Sequence, residues 1–200
     1  MKADDGHFAR LLADLPELLS HNRTFVEDLQ SRCEFVVVKK GDYLLRAGEV
    51  CQNAYFINKG LFINQYINEK GKECVTGFSS DDQYPFLSVL SYFIKSPSDF
   101  EIKAVEDGEL ICISRQNIEA LSLAYPPFAA YYQNAMLVII SKLYTLFTIR
   151  QSCTAEEFMS HLYEHYAWLV NRIPDKYIAC YMGISNEWYC KLKKRVFKLN

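Results

Sequence analysis

The sequence predicts an α+β chain: an antiparallel β-roll with flanking helices, a long helix behind it and a helical unit at the C-terminus. Three observations carry that reading. Between Glu34 and Ser114 the chain is a series of short β-branched and aromatic runs (EFVVV, YLLRA, AYFI, LFINQYI, CVTGF, FEIKAV, ELICI). Glycine-centred turns such as KKGD, NKG and EDGE separate them, and many short strands at this spacing form a sandwich or barrel. After Pro126-Pro127 a helical pattern runs to about Arg150, apolar on almost every face. Beyond it, Thr154-Ala-Glu-Glu157 fits a capping box and opens a second helical region. The corresponding division is residues 1–125 as a β-rich domain, 126–151 as the long helix and 152–200 as the C-terminal unit.

The elements follow in order. FARLLADLPELL and TFVEDLQSRC place apolar residues three and four apart, so the N-terminus is helical, with Pro16 breaking it into two pieces. The segment SDDQYPFLSVLSYFIKSPSD is not strand-like and interrupts the series before its last two strands. QNIEALSLA is a short helix. The long helix carries Phe128, Met136, Leu137, Val138, Ile139, Ile140, Leu143, Leu146 and Phe147, so it must be covered on more than one side. Either it is a core helix of one subunit, or it covers its own barrel and pairs with a twin; its length favours the second. EEFMSHLYEHYAWLVNRI reads as one helix ended before Pro174.

Composition bounds the function. Half of the 200 residues are hydrophobic and 23% are charged, which supplies a core and excludes global disorder. The net charge of −2 hides a split, +3 from Arg150 onward and −5 before it, and such asymmetry points to a module that meets an anion. Seven cysteines, none spaced C-x-x-C, read as reduced thiols. With no leader-like N-terminus and no apolar run long enough to span a bilayer, a soluble, cytoplasmic chain without membrane contact is expected.

The C-terminal stretch KYIACYMGISNEWYCKLKK carries the sharpest local signal. Ala179 precedes Gly183 by four residues, with Ile178, Met182, Ile184 and Leu192 at buried positions around them. A helix-turn-helix needs a small residue at the crossing, a glycine in the turn and apolar side chains locking the second helix. Ser185 is a natural N-cap for that second helix, which then presents Asn186, Glu187, Cys190, Lys191 and Lys194 to bases and phosphates. An ordinary helical hairpin with a solvated basic face fits the same spacing. Tyr189 stands where a branched aliphatic is usual, and Trp188 beside it is bulky.

The order of parts resembles the Crp/Fnr family of bacterial transcription regulators, across nearly the whole chain. KKGDYLLRAGEVCQNAYFINKGLFINQYI is similar to that family's first strands, with Gly41, Gly48 and Gly60 at turns, and IPDKYIACYMGIS to its entry into the DNA-binding motif. The style is similar to the short regulators of Bacteroidetes-type bacteria. The resemblance implies a cyclic-nucleotide-binding-like jelly roll, a homodimer built on 126–151, and a C-terminal winged-helix or helix-turn-helix on a pseudo-palindromic duplex. It allows RNA polymerase as a further partner. In relatives a glutamate and an arginine four residues on read the bases. Here Glu187 matches the first and Lys191 replaces the second, which implies looser specificity.

The effector site departs from the family. The resemblance places the phosphate cassette on DDQYPFLSVLSYFIKSPSDFEIKA, with Tyr84-Pro85-Phe86 in place of the Gly-Glu pair and Ser98-Asp99 in the arginine region. No arginine lies between Arg46 and Arg115, Asp99 would repel a phosphate, and Lys95 and Lys103 are out of position. The expectation is an effector other than cyclic AMP, in a pocket near Tyr84, Phe86, Leu87, Ser98 and Asp99. Tyr92, Phe93 and Phe100 add to an apolar pocket or simply fill the barrel. An N-terminal iron–sulfur site is excluded because only Cys33 lies in the first fifty residues. His7 and His21 are weak haem ligands, and neither cofactor nor metal is expected.

An enzyme is the weaker reading. His161-Leu-Tyr-Glu-His165 matches the H-x-x-E-H zinc pattern, but Glu187 is the only acid after Asp175 to serve as a third ligand. A cupin fails because no histidine lies between His21 and His161, and no G-x-S-x-G, Walker or G-x-G-x-x-G sequence occurs. The alternative to a DNA-binding regulator is a non-catalytic ligand-binding sensor that has lost DNA binding and acts through protein contacts.

Overall fold

The computed structural model describes residues 5–69, 71–83, 85–87 and 90–197. Three short helices open the chain: α1 (Asp5–Asp14), α2 (Glu17–Ser20) and α3 (Arg23–Ser31). Pro16 caps α2 rather than merely breaking a helix, and the Asn22 side chain accepts the Phe25 N–H at 3.1 Å to start α3, so two predicted pieces are three. Phe8, Leu11, Leu19, Phe25 and Leu29 bury their faces against the β-roll.

Eight strands follow: β1 (Cys33–Val38), β2 (Tyr43–Leu45), β3 (Asn53–Lys59), β4 (Leu61–Ile67), β5 (Glu73–Ser80), β6 (Phe86–Leu87), β7 (Phe100–Ala104) and β8 (Gly108–Ser114). They form two four-stranded antiparallel sheets, ordered β1-β8-β3-β6 and β2-β7-β4-β5, with Ile57, Phe62, Ile102 and Leu110 fully buried between them. Gly60 turns β3 into β4 at φ +121, and a Cβ there would stand 3.0 Å from the Gly108 Cα. The close approach of the two chains admits hydrogen alone. The interruption before the last two strands holds the two-residue β6, paired to β3, and the helix α4 (Leu90–Ile94).

Ser114 caps α5 (Arg115–Ala124), and Pro126-Pro127 open α6 (Pro126–Ser152), 27 residues long. Then come α7 (Ala155–His165), α8 (Ala167–Val170), α9 (Asp175–Met182) and α10 (Asn186–Phe197). The capping box at Thr154 and Glu157 is formed in both directions. The single helix expected over Glu156–Ile173 is instead broken at Tyr166 (φ −130, ψ 37). No glycine or proline causes that break. It turns Leu169 and Val170 into a second core, so packing overrides local propensity. No strand follows β8 among the described residues, so the C-terminal unit is helical there.

That second core joins the C-terminal helices to the β-roll. Leu61, Ile63, Val75 and Val105 meet Phe158, Met159, Leu162 and Ile178. Arg172 bonds Asp81, Asp82 and Glu106, carboxylates of the β-roll. At the free edge of β5 the Cys180 thiol donates to the Glu73 carbonyl (3.1 Å) and accepts the Val75 N–H (3.2 Å). All seven cysteines are free thiols. No helix among the described residues is long and apolar enough to cross a membrane.

Candidate nucleic-acid interface and effector cavity

The turn between α9 and α10 shows how local sequence builds a presentation surface. Gly183 adopts φ +73, its N–H bonds the Cys180 carbonyl, and the Ile184 N–H reaches the Ala179 carbonyl, each at 3.0 Å. This pairing satisfies the end of α9 and aims the chain directly into α10. Ser185 Oγ accepts the Trp188 N–H at 3.1 Å, as a helix N-cap should. Leu192 and Tyr189 are fully buried against α7 and α9.

Tyr189 therefore fits as an anchor. Its hydroxyl meets that of Tyr163 at 3.2 Å, and burial raises its pKa, keeping the phenol protonated. Asn186, Glu187, Cys190, Lys191 and Lys194 are all exposed on α10, with Ser185 exposed just ahead of them. The structure thus brings all six predicted contact residues together. Lys193 is tied to both Asp175 oxygens (3.1 and 3.2 Å) and Arg195 to Glu156. Lys191 and Lys194 form no salt bridge among the described residues. Glu187 is held ionised: its own backbone N–H and the Ser185 hydroxyl lower its pKa from the ordinary glutamate value, with Lys191 adding to this.

The second feature is a cavity of about 400 Å³ between β5, α6 and α8, with Asn64 of β4, Phe86, Phe93, Leu162 and Tyr181 of α9 completing its walls. Phe78, Met136, Leu143, Leu146, Trp168 and Tyr181 are among its walls. Two buried polar atoms in this lining, Asn64 Oδ1 and Trp168 Nε1, have no hydrogen-bond partner. Lys142 is the one charged side chain among the described lining residues, and it is exposed.

The five predicted effector residues do not converge. Phe86 lines the cavity, whereas Leu87 is buried opposite Tyr55 in the β3–β6 pair. Ser98 is buried and bonded to Phe100 (2.8 and 3.0 Å) and to the Glu49 carbonyl, while Asp99 is exposed. Tyr84 lies outside the described residues. Of the cassette's other aromatics, Tyr92 is buried, Phe93 is exposed and Phe100 is half-buried. Lys95 pairs with Glu119 at 3.5 Å, and Lys103 lies 5.0 Å over the Tyr43 ring. Sequence reasoning missed Asn64 and Trp168. It saw the apolar excess of α6, but not which of its stripes faces the cavity.

That helix carries two apolar stripes with the same spacing. Met136, Ile139, Leu143 and Leu146 line the cavity, and Ile140 reaches it from the neighbouring stripe. Leu137, Ile140, Tyr144 and Phe147 are 58–71% exposed, so α6 is not the buried core helix of a single subunit. The His161 and His165 rings lie 4.5 Å apart, tilted by 51°, and desolvation and the second ring lower the His161 pKa. No group of three metal-ligating side chains occurs among the described residues.

The β-roll defines the class of its domain: residues 35–125 match the cyclic nucleotide-binding domain family. Whole-chain likenesses lie among solved bacterial regulators. FixK2 from Bradyrhizobium japonicum superposes with a TM-score of 0.71 at 13% identity, covering 83% of this chain and 85% of that one. The c-di-GMP-responsive regulator CLP of Xanthomonas campestris gives 0.68 at 15% identity, over 98% and 92%. A Eubacterium rectale protein of the crp/fnr family gives 0.67 at 18%, over 97% and 88%. At these identities the likeness is one of fold. No curated protein matches the chain.

Proposed function

We propose that the chain is a homodimeric, DNA-binding transcription regulator of the Crp/Fnr type whose effector is an uncharged, largely apolar molecule rather than a cyclic nucleotide. The observation that carries the DNA-binding half is α10. Glu187 is an ionised acceptor suited to cytosine N4, and Lys191 and Lys194 are exposed cations suited to a guanine edge and to phosphate. Leu137, Ile140, Tyr144 and Phe147 recur at intervals of three and four along α6, the seam two helices need to pair. A dimer on that seam would place two copies of α10 about 34 Å apart, in successive major grooves.

The effector half rests on the cavity. A cyclic phosphate needs a cation held in the pocket, whereas Lys142 is exposed and the remaining lining is apolar walls with one unpaired acceptor and one unpaired donor. A neutral ligand with a single hydrogen-bonding group matches that set. The cavity touches β5, α6 and α8, so filling it would bias how the C-terminal helices sit on the β-roll, a population shift between two arrangements.

Sedimentation and duplex binding by the full chain test this reading. Leu137→Glu and Tyr144→Glu together are expected to convert a dimer to a monomer and abolish tight duplex binding. A wild-type monomer, or duplex binding that does not weaken as salt rises, would favour a sensor acting through protein contacts.

A further inference from the structure

A second groove lies on another side of the β-roll, where α4, α5 and the first turns of α6 meet. Its volume is about 560 Å³, and Tyr92, Arg115 and Tyr132 line it from these three helices. Buried polar atoms of this trio stand without a close partner: Arg115 Nε has none, and the Tyr92 and Tyr132 hydroxyls face each other. Tyr92 is 97% buried on the complement of its 3% exposure, and Arg115 stands 5.3 Å over its ring. Burial, with the facing Tyr132 hydroxyl, raises the Tyr92 pKa and keeps that phenol a donor.

Arg115 is the unusual member. Its guanidinium donates to the Cys51 carbonyl (2.6 Å) and to Gln52 Oε1 (3.2 Å), both neutral. Glu119, the acid in the lining, is engaged instead by Lys95 at 3.5 Å. No carboxylate forms a salt bridge with Arg115 among the described residues. A half-buried cation bonded only to neutral groups, beside two phenols that have only each other, is costly unless something anionic completes it. Lys95 ends α4 at φ +57, the one non-glycine residue in the left-handed region among the described residues, and the groove includes it. Strained backbone of this kind gathers at binding sites.

We propose that this groove binds a small carboxylate with an apolar body. Its oxygens accept from Arg115 Nε–H and the Tyr132 hydroxyl, whose proton the Tyr92 contact leaves free, and its body lies along Phe93, Ile118 and Ala129. The site adjoins the cavity beside β5, with Phe93 lining both, but Tyr92, Arg115 and Tyr132 line this groove alone of the two. Such a ligand would tie the start of α6 to α4 and α5, a second input to the same long helix.

Calorimetric titration of the full chain with 4-phenylbutyrate and octanoate, and with their amides, tests the proposal. The carboxylates are expected to bind, and their amides about tenfold or more weakly, the scale of one charge-assisted hydrogen bond. Arg115→Gln should weaken the carboxylates by a similar factor and Tyr132→Phe by several-fold, with the melting temperature of each variant confirming its fold. Arg23→Gln, at an exposed side chain of α3, should leave carboxylate binding unchanged. Equal binding of acids and amides, no effect of Arg115→Gln, or no binding by either carboxylate would overturn the assignment. Stabilisation by Tyr92→Phe and Tyr132→Phe without any binding would show a groove that holds only water.

Discussion

The surface of α10 and the cavity beside α6 differ in chemistry and would suit opposite kinds of recognition. On α10 the polar groups face water, and Lys191 and Lys194 form no salt bridge among the described residues. Its recognition would run on charge, weaken with salt and need little apolar area. The cavity is walled by aromatic and aliphatic side chains with two unpaired polar atoms, and its recognition would run on desolvation. Between them stand α6 and the second core, so the comparison teaches where coupling must travel: through packing, and not through a run of charges.

The strongest way to break this contrast is to unseat α10 without touching its surface. Tyr189→Ala removes a fully buried ring from beneath the exposed face and should destabilise the C-terminal core by about 3–5 kcal/mol. Tyr189→Phe removes only the hydroxyl contact with Tyr163 and should lose about 1 kcal/mol. Urea unfolding monitored by tyrosine and tryptophan fluorescence measures both. If alanine is tolerated as well as phenylalanine, Tyr189 does not anchor the helix.

The contrast sharpens at the surface itself. Glu187→Ala should relax preference at one base position by about 1–3 kcal/mol, while Lys194→Gln should weaken all duplexes alike and lower the salt slope by about one. Anisotropy titrations at several salt concentrations, on a selected site and its single-base variants, read both numbers. Equal effects on every sequence would contradict the division of labour between the two residues.

The smallest expected effect is on pH. The Thr154 backbone N–H and hydroxyl lower the Glu157 pKa, and the backbone and Ser185 do the same for Glu187. A folded pKa below the unfolded value means that the stabilisation is present above about 4.3 and is lost as pH falls through the folded value. Helix content followed by circular dichroism should therefore decline in acid over that window, and Thr154→Ala should remove part of the decline. A decline on raising the pH from neutral would have the wrong sign.

The two regions also differ in how far the sequence disclosed them. Gly183, Ser185 and the Thr154–Glu157 box act within four residues of themselves, so their spacing translates directly into geometry. The strands were legible for the same reason, because their turns demand glycine at fixed places. The cavity is assembled from β4, β5, α6, α8 and α9, and no local pattern marks Asn64 or Trp168 as sharing it. Ser98 and Asp99 were placed by resemblance to a phosphate cassette, and the chain uses Ser98 to fasten the Gly48–Glu49 turn instead. The break at Tyr166 escaped because the C-terminal core makes it, not a local breaker.

The central claim is that a dimer of this chain reads a symmetric duplex without calling on a cyclic nucleotide. Selection from a random duplex pool by the purified full chain, with and without cyclic AMP, tests it most directly. The account predicts a two-fold symmetric site enriched equally in both arms. Enrichment only with cyclic AMP, or an asymmetric site in either arm, would contradict it.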